Sequence, residues 1–122
     1  METLEALHSR NSVTGLSEPV PTQEEMKMVF RAALRAPDHA WLRPWKFIQV
    51  TGEGRKKLGD AFLRTATAVT GDLSEELVEK AKNAPFRAPM VLVLIAEIKE
   101  HPKVPEIEQI ISTGAAAQNM LL

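Results

Sequence analysis

Apolar positions along this chain recur with two periods, and they divide it into segments. Leu4 and Leu7 are spaced i, i+3, which predicts a short helix over residues 3–9. Gly15, Pro19 and Pro21 then break regularity, so residues 11–21 are expected to be extended or looping. Thr22 with Glu25 three residues later is a capping box, and Met26, Val29, Phe30, Ala33 and Leu34 follow at helical spacing. This second helix is expected to end near Ala36, because Pro37 disfavours the α conformation in the residue before it. Residues 37–44 read as a turn-rich connection. Trp45 to Thr51 alternates and is rich in aromatic and β-branched residues, a strand pattern that Gly52 and Gly54 close. Residues 55–69 place Leu58, Phe62, Ala66 and Val69 on one side of a helix, Gly71 and Asp72 make a turn, and Ser74 is a plausible N-cap for a helix to about Asn83. Pro89 to Ala96 is a continuous apolar run, as in a strand buried on both faces. From about Glu106, the series Ile107, Ile110, Ile111, Gly114, Ala115, Gln118, Leu121 reads as a helix with a small-residue stripe.

The order helix, helix, strand, helix, helix, strand, helix implies an α+β or layered α/β/α arrangement. Two strands are few for a sheet. The last helix runs to Met120-Leu121-Leu122 with no Gly, Asn, Lys or Pro to signal a stop. Both features lead to the expectation that residues 1–122 are the N-terminal portion of one longer domain; a last helix that docks onto a partner is the alternative.

With 122 residues the chain has one domain's worth of sequence. Its 15 Lys and Arg against 16 Asp and Glu give a net charge of -1, which disfavours nucleic acid as a partner. The absence of Cys excludes disulfides, a thiolate nucleophile and Cys-ligated metal, and fits a reducing compartment. No apolar run is long enough to span a bilayer, and the N-terminus lacks the basic-then-apolar pattern of a signal peptide. A cytoplasmic protein without membrane partners is the expectation.

Candidate chemistry lies at a few places. Arg10-Asn11-Ser12 follows the first helix; a guanidinium fork beside a hydroxyl suits phosphate, and equally Arg10 could complement the negative helix end with Ser12 in a turn. Arg31, Arg35, His39, Arg43 and Lys46 concentrate positive charge, and Trp41 and Trp45 add flat surfaces. This suits an anionic cofactor or nucleotide; a solvated helix end with Trp45 starting a core strand is the plainer alternative. No His or carboxylate lies at metal-ligand spacing from His39, so metal binding is not expected and a hydrogen bond to a ligand or simple exposure is. The Gly-rich patterns of dinucleotide and P-loop sites are absent. Ala84 to Pro89 reads as a structural lead into the second strand, with Arg87 a weaker anion contact.

Together, Leu7-His8-Ser9-Arg10-Asn11-Ser12, Arg31-Ala-Ala-Leu-Arg35-Ala36-Pro37-Asp38-His39, Arg43-Pro44-Trp45-Lys46-Phe47, Lys82 to Pro89, Lys103-Val104-Pro105 and the Gly114 to Leu122 helix resemble the FMN-dependent nitroreductase family, in particular its small YdjA-like branch. The resemblance implies a three-layer α/β/α nitroreductase-like fold, apparently truncated here. It also implies an intertwined homodimer with FMN at the interface, and hydride passing from NAD(P)H through flavin N5 to a nitro compound, quinone or similar small-molecule acceptor. By this likeness Arg10 and Ser12 hold the ribityl-phosphate end of FMN, with a weaker or backbone contact at Asn11, and Arg35 and His39 approach the flavin. No protein residue need act as catalytic nucleophile or acid, since positioning and charge tuning are the protein's part. The chain departs from the pattern at Asn11, where many members have Arg, and at Trp41 and Arg43, where many relatives have Asn and Gln. A non-catalytic flavin-binding module and a cofactor-free helical dimerisation module are the alternative functions.

Overall fold

Local signals set where the helices start. The structure, a computed structural model, describes residues 2–122. The chain runs α1 (Thr3–Ser9), α2 (Gln23–Ala33), a 3-10 turn (His39–Trp41), β1 (Trp45–Thr51), α3 (Gly54–Thr70), α4 (Glu75–Asn83), a second 3-10 turn (Ala84–Arg87), β2 (Met90–Ala96) and α5 (Glu106–Leu121). At the start of α2 the Glu25 N–H donates to Thr22 Oγ1 at 3.3 Å and the Thr22 N–H donates to Glu25 Oε2 at 2.7 Å, the reciprocal capping box the sequence predicts. Ser74 Oγ accepts from the Leu77 N–H and caps α4. Gly52 and Gly71 take φ of 50° and 85°, which lets the chain turn after β1 and after α3.

β1 and β2 are paired in a two-stranded sheet. The Glu97 N–H, just past β2, donates to the Pro44 carbonyl, just before β1, so the strands run antiparallel. The chain divides into two compact units. The first holds residues 1–12, 21–48 and 94–122. Its core is Ala33, Ala36, Trp45 and Ala116, with Phe47, Ala115 and Met120 packed against them. Trp45 thus starts a core strand, as read. Small residues on both α2 and α5 let the helices approach, and Asn119 Nδ2 donates to the Ala32 carbonyl at 3.0 Å, adding a second bond to an acceptor in the last turn of α2. The second unit holds residues 13–20 and 49–93. There α3 packs on α4 through the buried Gly59, and the Arg55 guanidinium donates to the Ala88 carbonyl at 2.9 Å and lies over the Phe86 ring.

Two expectations are corrected. α2 ends at Ala33 rather than near Ala36, because Arg35 and Ala36 donate to Ala32 and Ala33, tightening the last turn into i to i−3 bonds before Pro37. β2 is half-buried to Leu94 and exposed beyond, not buried on both faces, since it has one neighbouring strand. On α5 the isoleucines face outward, with Ile107 and Ile111 59% and 64% accessible, while Gln109, Ser112, Thr113 and Ala116 face the core. Close helix packing selects the side with small residues, whatever its polarity. Among the described residues, no helix is long and apolar enough to cross a membrane.

Candidate functional site

The segment between α2 and β1 carries most of the chemistry the sequence points to. Past Pro37 the chain is extended at Asp38, whose Oδ2 accepts the Arg43 N–H at 2.7 Å. Between them Ala40, Trp41 and Arg43 all have positive φ, at 60°, 55° and 46°. Pro44 is fully buried, and its carbonyl accepts both the Glu97 N–H and Thr113 Oγ1, each at 2.9 Å. This fixes the end of the turn where β1 begins.

Two consecutive residues of α5 hold the rest. The His39 ring donates from Nδ1 to Glu108 Oε2 at 2.8 Å. A carboxylate can only accept, so the proton sits on Nδ1 and Nε2 lies outside this bond. Gln109, 2% exposed, pairs its side-chain amide with the Lys99 backbone: Oε1 accepts the Lys99 N–H at 2.9 Å, and Nε2 donates to the Lys99 carbonyl at 2.8 Å. The Lys99 ammonium in turn donates to the Leu42 carbonyl, inside the turn. Sequence reasoning missed Glu108, Gln109 and Lys99. They lie far along the chain from the turn, and the only local signal is two polar residues between Ile107 and Ile110.

Two clefts flank the segment. One, of about 280 Å³, is lined by Leu34, Arg35, Ala36, Pro37, Asp38, Trp41, Arg43 and Trp45. The other, of about 380 Å³, has Pro37, Asp38, His39, Glu108, Ile111, Ser112 and Ala115 around it. Arg35 and His39 therefore sit on adjacent clefts that share Pro37 and Asp38. Arg10 caps the C-terminal end of α1, and Asn11 Nδ2 reaches the Ser9 carbonyl at 3.5 Å. Arg10, Asn11 and Ser12 are exposed and line neither cleft. The ion pairs of the described residues are Lys27–Glu24, His39–Glu108 and Lys46–Glu97, so Arg10, Arg35 and Arg43 are in none of them. Arg87 lies in the other unit, in the 3-10 turn before β2.

Comparison with known proteins gives this arrangement a context. The chain is 41% identical over 120 residues to "Putative NAD(P)H nitroreductase YdjA" of Escherichia coli K12, covering 98% of this chain and 64% of that protein. It is 41% identical over 123 residues to "Putative NAD(P)H nitroreductase" of Haemophilus influenzae, covering 66% of that protein. The chain thus spans just under two thirds of the length of these relatives. Among solved structures, it is similar to a nitroreductase-like family protein of Bacillus cereus, with a TM-score of 0.76 and 25% identity over 99% of this chain and 63% of that one. A nitroreductase family protein of Clostridium novyi NT shares the fold with a TM-score of 0.69 at 22% identity, over 99% of this chain and 62% of that one. The two-stranded sheet and its helices are therefore a portion of the nitroreductase-like fold. The family profile described as "Nitroreductase family" matches residues 7–122, and the chain belongs to the nitroreductase family.

Proposed function

We propose that this chain belongs to an FMN-dependent oxidoreductase that uses NAD(P)H to reduce a nitro compound, quinone or similar small acceptor. The observation that carries the reading is the segment Arg35 to Arg43, which gathers two guanidinium groups without ion-pair partners and a His held by Glu108, in a chain of this family. The donor set fits the group. FMN combines a phosphate with a ring that becomes negative on reduction, and Arg10 and Arg35 are donors in no ion pair of the described residues. The chemistry that FMN supplies when bound is hydride transfer at N5.

The chain's own residues bind and orient. Arg10 and Ser12 would hold the phosphate end, with Asn11 contributing a weaker contact. Arg35 would donate to the ring and favour the negative charge that builds on it, and His39 would approach the ring with its Nε2. Glu108 keeps the His39 ring oriented for this task. Because Arg10, Asn11 and Ser12 line neither cleft beside Arg35 and His39, a homodimer that brings one group from each copy is the arrangement we favour. The exposed Ile107, Ile110 and Ile111 give that second copy an apolar face to cover.

The test is a visible spectrum of the purified chain, with FMN added and then NADPH or NADH under nitrogen. Flavin absorbance that bleaches supports the enzyme. A flavin that stays oxidised with both nucleotides leaves only a binding module, and a chain that takes up no FMN refutes the site.

A further inference from the structure

Three residues without glycine's freedom adopt left-handed backbone within four positions, and one of them is a tryptophan. A bulky residue rarely does so, and such a conformation persists where the surroundings impose it. Here Asp38 takes the Arg43 N–H, Lys99 takes the Leu42 carbonyl, and Pro44 is locked beneath. The effect of that bracing is to hold the Trp41 ring out in solvent, 77% exposed, as one wall of the 280 Å³ cleft. The Arg43 guanidinium sits 5.3 Å from the Trp41 ring centroid, and Arg35 lines the same cleft. The charged groups of this cleft are Arg35, Arg43 and Asp38, and one Asp38 oxygen is already committed to the turn. Glu108 lines the other cleft, bonded to His39. The balance is positive, beside an exposed aromatic plate.

We infer that Trp41 and Arg43 form an acceptor subsite that selects planar aromatic anions, a ring bearing a carboxylate or similar oxyanion; this rests on the oxidoreductase reading above. The ring packs on the exposed edge of Trp41, beside the guanidinium that lies over its face. The oxyanion takes the forked donors of Arg43, which suit two oxygens at once, and Arg35 adds positive charge to the same cleft. A neutral ring of the same shape would leave those donors unanswered.

Isothermal titration of the chain with 4-nitrobenzoate and with 4-nitrobenzamide, each with and without bound FMN, tests this directly. The anion should bind about tenfold or more tighter than the amide, a preference that weakens as salt is raised. Arg43→Gln should abolish the preference while Arg43→Lys keeps part of it. Trp41→Ala should weaken both ligands about tenfold, the scale of a lost aromatic stack. Equal affinity for the two ligands, or a Trp41→Ala chain that binds both as the parent does, overturns the subsite. Displacement of nitrobenzoate by one equivalent of FMN assigns the cleft to the flavin and also overturns it. Binding with the expected Trp41 and Arg43 dependence in a chain that NAD(P)H does not reduce upholds the subsite and sinks the enzyme reading instead. Flavin reduction with no preference for the anion does the reverse.

Discussion

Replacing Gly59 by alanine should destabilise the chain, although helix propensity alone predicts the opposite. Gly59 is buried inside α3, and a Cβ built there would lie 2.2 Å from the Lys82 carbonyl oxygen and 3.0 Å from its carbon. Non-bonded carbon atoms favour about 3.5–4.0 Å, so α3 and the end of α4 must move apart by about an ångström. The obstacle is main chain, and no side chain can swing aside to relieve it. Overpacking costs about 1–3 kcal/mol, and a backbone collision belongs at the upper end. Alanine's better propensity returns about 1 kcal/mol. The net loss is about 2 kcal/mol, or roughly 8 °C in Tm for a chain of this size. Gly114→Ala is the matched control. It too lies in a helix interior, but nothing stands within 4 Å of its Cβ position, so the gain of about 1 kcal/mol goes unopposed. Guanidinium unfolding followed by far-ultraviolet circular dichroism reads both. A Gly59→Ala midpoint at or above that of the parent would refute the close approach of α3 to α4.

Other outcomes follow from single contacts. Gln109→Leu strips the Lys99 N–H, the Lys99 carbonyl and the Val104 carbonyl of their partner. It should cost about 3 kcal/mol in the same unfolding assay, and a loss below about 1 kcal/mol would mean water replaces the amide. Thr113→Val removes a buried hydroxyl but leaves Pro44 its bond from the Glu97 N–H, so only about 1 kcal/mol should go. The bond from the Thr22 backbone N–H, with help from the Thr22 hydroxyl, holds the Glu25 carboxyl below its ordinary value of 4.5. A depressed folded value means stability that is present above the unfolded value and lost as pH falls through the folded one. Urea midpoints from pH 6 to pH 3 should therefore fall more steeply for the parent than for Glu25→Gln, and parallel curves would exclude the linkage.

What was legible in the sequence was what the chain decides locally. Thr22 with Glu25, Ser74 as a cap, and Gly52 and Gly71 as turns each act within a few residues, and the elements they bound appear where the sequence places them. Arg35 and His39 were legible as a charged segment. Their surroundings were not, because Glu108 reaches His39 across the fold and Gln109 braces the turn from a distance through Lys99. The buried face of α5 is not legible from spacing either. Hydrophobic spacing reports which residues favour burial, whereas close approach to α2 depends on side-chain size, so Ser112, Thr113 and Ala116 turn inward and three isoleucines do not. The left-handed turn gave no glycine to announce it; its conformation is imposed by Asp38 and Lys99 rather than chosen by Ala40 or Trp41.

That last feature makes residues 40–43 an interchangeable cassette. The turn is clamped at Asp38, at the Leu42 carbonyl and at Pro44, through backbone atoms that any substituted residue but proline retains. The exposed side chains of Ala40, Trp41 and Arg43 are outside that clamp. Their identities can drift, or be exchanged by design, without disturbing the frame that presents them. A family built this way can change what it admits to its cleft by rewriting a few outward-facing positions, and glycine at position 40 would ease the graft further by removing the steric objection to its backbone.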